Sequence, residues 1–221
     1  MLLIILTYSY LIFPVLLLFF KVKFKDVIAL LLALYGLTFF VLILKADDVP
    51  RNIKKFYNAF YTVLEYAFFT FIFWRQIQNR FFRKFVIIAS TLFLLFELYY
   101  ISNTAFERLD SIPIGIETIL VFIYIFFFFY DFSKTVKTTF IYNHYCFWLS
   151  VGILIYLGGS FFYYMLVNNL DSNEYEKLAD LTYVAETIKN ILFGIAMVIL
   201  QKFTMNKIHN PSKNIPNLDM I

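Results

Sequence analysis

Apolar residues fill seven stretches of the chain almost without interruption, and short polar segments divide them. The stretches are 2–20, 27–44, 56–74, 85–102, 114–130, 140–166 and 181–200. An α-helix needs roughly 17–25 such residues to cross the hydrocarbon of a bilayer, and every stretch is about that length. The runs are continuous rather than alternating, which excludes the strands of a transmembrane barrel. The pattern predicts an all-α polytopic membrane protein: one seven-transmembrane-helix domain over residues 1–200. Residues 201–221, with Pro211, Pro216 and the polar run HNPSKNIPN, are expected to form a flexible cytoplasmic tail. In the sixth stretch the first turns, 140–145, contain Asn143 and His144 and belong at the interface. His144 is read as an interface or packing residue. The first stretch has no basic n-region and no small-residue cleavage site, so it reads as a retained helix.

Composition narrows the class further. The 221 residues are 62% hydrophobic and 15% charged, whereas a soluble domain is roughly half apolar and about a quarter charged. A soluble enzyme, a disordered tail and a coiled coil are excluded. One Cys and two His leave no internal disulfide, no CxxC site and no His-based zinc site. No metal, cofactor or nucleic-acid partner is expected; the bilayer itself is.

Where the charges fall sets the orientation. The loops after spans 1, 3, 5 and 7 hold 12 of the 19 basic residues and three acids, while the other side holds six bases and eight acids. Excess Lys and Arg mark the cytoplasmic side. The N-terminus is therefore expected outside and the C-terminus inside, in a bacterial inner membrane. Arg51, Lys54 and Lys55 are the exception, on the outer side. The basic run around Arg75, Arg80, Arg83 and Lys84 is a candidate contact surface for a cytoplasmic partner, and anchoring to anionic headgroups explains it equally well.

Five ionisable groups lie inside the spans: Glu65, Glu97, Glu117, Glu186 and Lys189. Such groups normally face the bundle or water. At 1.5 Å per residue, Glu117 lies roughly 5 Å below its outer helix end, Glu97 and Glu186 roughly 8–9 Å, Lys189 about 12 Å and Glu65 near 14 Å. All fall in one leaflet. This predicts a polar cavity opening outward, with Glu65 at its floor and Asn58 and Asn190 completing the lining. Glu186 and Lys189, three apart, would also neutralise each other on one helix face. Gly152, Gly158 and Gly159 on span 6 mark the site of close helix approach.

Named functional classes fare unequally. A retinal Schiff base at Lys189, with Glu65 as counter-ion, lacks the helix-6 proline and helix-3 signature of such proteins. A triple-helix-repeat sugar transporter would show related halves, and none is found. A zinc hydrolase of the ceramidase type needs more His than this chain has. A carboxylate-only lipid hydrolase, similar to lysoplasmalogenases, would use Glu65, Glu97 and Glu186 as its acid/base set.

Three segments carry a resemblance. YNAFYTVLEYAFFTFIFWRQI, IGIETILVFIYIFFFFYDF and FWLSVGILIYLGGSFFYYML resemble a family of small uncharacterised bacterial membrane proteins, over roughly residues 56–200. The matching positions are Glu65, Glu117, Trp148, Gly152, Tyr156 and Gly159. The likeness implies a setting near sensor histidine kinases, and Tyr156 is expected to pack with Gly152, Gly158 and Gly159 on the same helix. The leading expectation is a non-enzymatic sensory or accessory membrane subunit that relays to such a partner. The lipid hydrolase is the alternative, followed by a small-solute transporter or a host-defence membrane component. A homo-oligomer is compatible with each.

Overall fold

The computed structural model describes residues 1–19, 27–46, 48–103, 111–135, 141–166 and 172–209. These form α1 (Leu2–Ser9), α2 (Ile12–Phe19), α3 (Val27–Lys45), α4 (Arg51–Gln76), α5 (Arg80–Asn103), α6 (Ser111–Thr135), α7 (Tyr145–Leu166) and α8 (Ser172–His209), with a 3-10 turn at Ile141–Asn143. No strand occurs among the described residues. Successive helices are neighbours, and α8 closes the ring by packing on α7 and α1; α4 also meets α6, which leaves α5 at the periphery.

Each predicted stretch is helical where it is described, and the differences are a break in the first and the positions of helix ends. The first span is two helices. Pro14 has no N–H to give the carbonyl of Tyr10, four residues before it, and its ring crowds that oxygen, so the helix breaks there. The Leu11 N–H turns back to Tyr8 O at 3.1 Å, and the ladder resumes with Val15 N–H to Leu11 O. The break rests on Gly36 of α3, where a Cβ would run into the Tyr10 carbonyl oxygen and lie 2.6 Å from the Phe13 ring. It turns Tyr10 inward, fully buried.

At 38 residues, α8 is about 57 Å long, well beyond a bilayer's hydrocarbon of roughly 30 Å. It continues to His209, so the segment expected to begin a loose tail at residue 201 starts as helix; residues 210–221 lie outside the described residues. So do Lys21, Lys23 and Lys25 after the first span, and Glu107, Arg108 and Asp110 after the fourth.

Five helices are long and apolar enough to cross a membrane: Leu2–Phe19, Val27–Lys45, Arg80–Asn103, Ile112–Lys134 and Glu176–Lys202. A shorter apolar helix covers Tyr145–Phe161. Their outward faces carry exposed Leu30, Leu34, Leu37, Ile87, Ile88, Leu92 and Leu95. So many exposed large apolar side chains suit lipid rather than water. The chain is thus an all-helical bundle of the kind that makes a multi-pass membrane protein. α4 is absent from that set because Tyr57, Asn58, Tyr61, Thr62, Glu65 and Tyr66 lower its hydropathy. Those residues make its inner face polar.

Candidate functional site

The ammonium of Lys189, on α8, is fully buried. Its charge is met by two carboxylates from different helices. Nζ lies 3.3 Å from Glu65 Oε1 on α4 and 3.5 Å from Glu186 Oε1 one turn back on α8. It also donates to the hydroxyls of Tyr35, on α3, at 2.8 Å and Tyr10, on the loop between α1 and α2, at 3.3 Å. The Tyr156 ring of α7 covers it at 3.9 Å, a cation–π contact in a buried site.

The carboxylates are held by phenols. Tyr35 donates to Glu65 Oε1 at 3.1 Å and Tyr156 to Glu65 Oε2 at 2.9 Å. Tyr10 donates to Glu186 Oε1, as does Tyr61 at 3.3 Å. One hydrogen-bonded cluster therefore ties the α1–α2 break to α3, α4, α7 and α8. With both carboxylates ionised it carries one net negative charge.

Beside the cluster lies a cavity of about 290 Å³. It sits at the bundle end where α1, α4, α6 and α8 begin and α3 and α7 finish. Its wall is formed by Tyr57, Asn58, Tyr61, Thr62, Tyr164, Tyr183 and Glu186, with apolar residues such as Leu3, Leu6 and Leu42. The Tyr57 hydroxyl donates to the carbonyl of Leu42, fixing its ring against α3.

The expected cavity residues separate into groups. Asn58 and Glu186 line the space. Glu65 and Lys189 lie behind Glu186, closed off by tyrosine rings, so the floor of the cavity is Glu186 and not Glu65. Neutralisation of Lys189 by Glu186 alone is likewise only half the arrangement, since Glu65 shares it and is slightly nearer. Asn190 is buried and donates to Ser9 Oγ at 2.7 Å, pinning α8 to α1 instead of lining the cavity. Glu97 on α5 and Glu117 on α6 are buried outside the hydrogen-bonded cluster. Glu117, 2% exposed, belongs to the core of the bundle.

The packing residues divide too. A Cβ on Gly152 would lie 3.3 Å from the Lys189 carbonyl, and one on Gly159 would lie 3.0 Å from Ala185 Cβ, so both let α7 approach α8. Gly158 has nothing within 4 Å. Tyr156 is a member of the ion cluster as well as a packing residue. Trp148 donates to the Tyr142 carbonyl at 2.8 Å and holds the start of α7.

At the opposite end, Arg75, Arg80 and Lys84 are exposed, and the Arg83 guanidinium lies 4.4 Å over the Trp74 ring. The turn between α4 and α5 is firmly held. Asp131 of α6 accepts from the backbone N–H of Gln78 at 2.5 Å and Asn79 at 3.0 Å, and Asn79 Oδ1 caps α5 by accepting from Phe81 N–H.

Tyr10, Tyr35 and Tyr61 carry no separate signal as site residues in the pattern of apolar runs. A signal was available: belt tyrosines sit at span ends, whereas Tyr10, Tyr35 and Tyr156 are mid-span, where a hydroxyl needs a partner. Among the described residues, no group of three or more His, Cys, Asp or Glu is placed to hold a metal ion. No protein-family model, curated protein or solved structure matches this chain.

Proposed function

We propose that this chain is a non-enzymatic sensory subunit of a bacterial inner membrane, oriented with the cavity outward and the basic end in the cytoplasm. One observation carries the reading: Glu186 lines the cavity and shares the buried Lys189 with Glu65 of another helix. An occupant that changes the charge or hydrogen bonding at Glu186 shifts the balance of Lys189 between the two carboxylates. Glu65 then carries the change into α4. From Glu65 to Gln76 this helix spans about 16 Å toward the basic end. There Gln76 donates to the Tyr145 hydroxyl, and the following turn is clamped by Asp131. A partner docked on Arg75, Arg80, Arg83 and Lys84, such as a histidine kinase, would receive the movement.

Hydrogen exchange of residues 76–84 in lipid nanodiscs tests the relay. Glu186→Gln should change protection at that turn, although it lies at the far end of the bundle. Unchanged protection overturns the relay. Release of headgroup or acyl chain from a bacterial lipid extract by the purified protein, lost in Glu65→Gln, replaces it with the hydrolase reading.

A further inference from the structure

We infer that the cavity binds a small organic cation, an ammonium-bearing group held by Glu186 inside a cage of tyrosine rings. The inference rests on the sensory reading of the same cavity and names its ligand class. Three features of the site converge on it.

The first is charge. With both carboxylates ionised, the cluster behind the cavity has one cation for two anions, and a further positive charge completes it. Among the described residues no Lys or Arg lines the cavity, and the carboxylate that reaches its wall is Glu186. An anion would meet that carboxylate with nothing to offset it.

The second is the geometry of Glu186. Tyr10, Tyr61 and Lys189 all converge on Oε1. Among the described residues no hydrogen bond ends on Oε2, which leaves a carboxylate oxygen for an occupant.

The third is the wall. Tyr57, Tyr61, Tyr164 and Tyr183 line the space, and aromatic faces attract cations through their quadrupole, most strongly for poorly hydrated ammonium groups. Asn58 and Thr62 add polar groups that suit a hydroxyl or ester next to the ammonium. About 290 Å³ is at the small end of ligand cavities, which matches a choline-sized group. The ammonium comes either from a free amine or from the headgroup of a zwitterionic lipid entering from the outer leaflet.

Calorimetric titration of the full-length protein in nanodiscs of phosphatidylglycerol tests this. Choline and tetramethylammonium should bind saturably, and the neutral isostere 3,3-dimethyl-1-butanol should bind at least tenfold more weakly. Glu186→Gln should weaken choline binding tenfold or more. Asn58→Trp, which fills the cavity from a residue outside the ion cluster, should abolish it, and guards against misfolding of the first variant. Nanodiscs containing phosphatidylcholine or phosphatidylethanolamine separate the sources. Loss of free-choline binding there, with a raised unfolding temperature, assigns the lipid headgroup; undiminished binding assigns the free amine. Equal binding of cation and isostere, or no binding in any lipid together with no stabilisation by the zwitterionic lipids, overturns the inference. If the exchange response of residues 76–84 to Glu186→Gln persists in that case, the ligand class alone falls and the relay stands.

Discussion

Lys189 on α8 lies 3.3 Å from Glu65 on α4, across 124 residues of chain. Both side chains are buried, and each offsets the other's charge. Removing one partner of a buried pair costs about 3–5 kcal/mol, because the survivor stays charged without compensation. Lys189→Met should therefore lower stability by about that amount, as measured by reversible unfolding in mixed micelles. Lys189→Met combined with Glu65→Gln should recover part of the loss, and the coupling in the cycle measures the pair. A single variant costing under about 1 kcal/mol would mean that the pair adds no more than an exposed one.

The glycines offer a rank order. A Cβ at Gly36 meets a backbone oxygen at the α1–α2 break, and neither backbone can yield without moving Tyr10 from the cluster. Gly36→Ala should cost about 1–3 kcal/mol or more by overpacking. Gly159→Ala, against Ala185 Cβ at 3.0 Å, should cost less, and Gly152→Ala less again. Gly158→Ala meets nothing within 4 Å and should be neutral or stabilising by up to about 1 kcal/mol through its helix propensity. Thermal unfolding of the four variants in one detergent checks the order, and a destabilised Gly158→Ala would break it.

The seven apolar stretches are legible in the sequence because lipid demands long apolar runs. Helix ends are not, since their last turns leave the hydrocarbon and carry charge: Arg51–Lys55 of α4, Arg80–Lys84 of α5 and the first turns of α8 escape a count of apolar residues. Depth is legible as well. The 1.5 Å rise puts Lys189 and Glu65 at about the same level, and they meet. Rotation about each helix axis is not, which is why Glu97 and Glu117, expected in the same half of the bundle, lie outside the cluster. The break at Tyr10 is written in Pro14, but that it would turn a phenol onto Glu186 depends on Gly36, a contact between two helices that no local pattern contains.

His144 precedes α7 at the basic end of the bundle. Its Nδ1 accepts from the backbone N–H of Cys146 at 3.3 Å, and its ring stacks on Tyr145 at 4.8 Å and lies against Phe132. Burial pulls this imidazole below its ordinary pKa. The folded state thus resists protonation, while the unfolded chain takes up a proton near the usual value of about 6.5. Stability from this group is complete above that pH and is lost as pH falls from there through the lower folded-state value. Protonation also turns Nδ1 from acceptor to donor and breaks the bond from Cys146. Unfolding temperature should fall between pH 7.5 and pH 5.5 in the wild type and fall less in His144→Gln. Parallel curves for the two proteins would show that His144 does not set the slope.

Cys146, the only cysteine in the sequence, is fully buried, so the wild-type protein should resist a membrane-impermeant maleimide in intact cells and after lysis. That blank background makes the orientation directly measurable. Asp48 is exposed at the end of the bundle that holds the cavity, and Gln78 is exposed at the basic end, in the turn held by Asp131. With the cavity outward, Asp48→Cys should label in intact cells and Gln78→Cys only after the membrane is opened. The distribution of basic residues argues for this result despite Arg51, Lys54 and Lys55 in the first turns of α4, where the long side chains of Lys54 and Lys55 can reach the headgroups. The reverse labelling would turn the cavity toward the cytoplasm. Glu186 would then face a ligand from inside the cell, and the basic turn would contact headgroups or partners outside it.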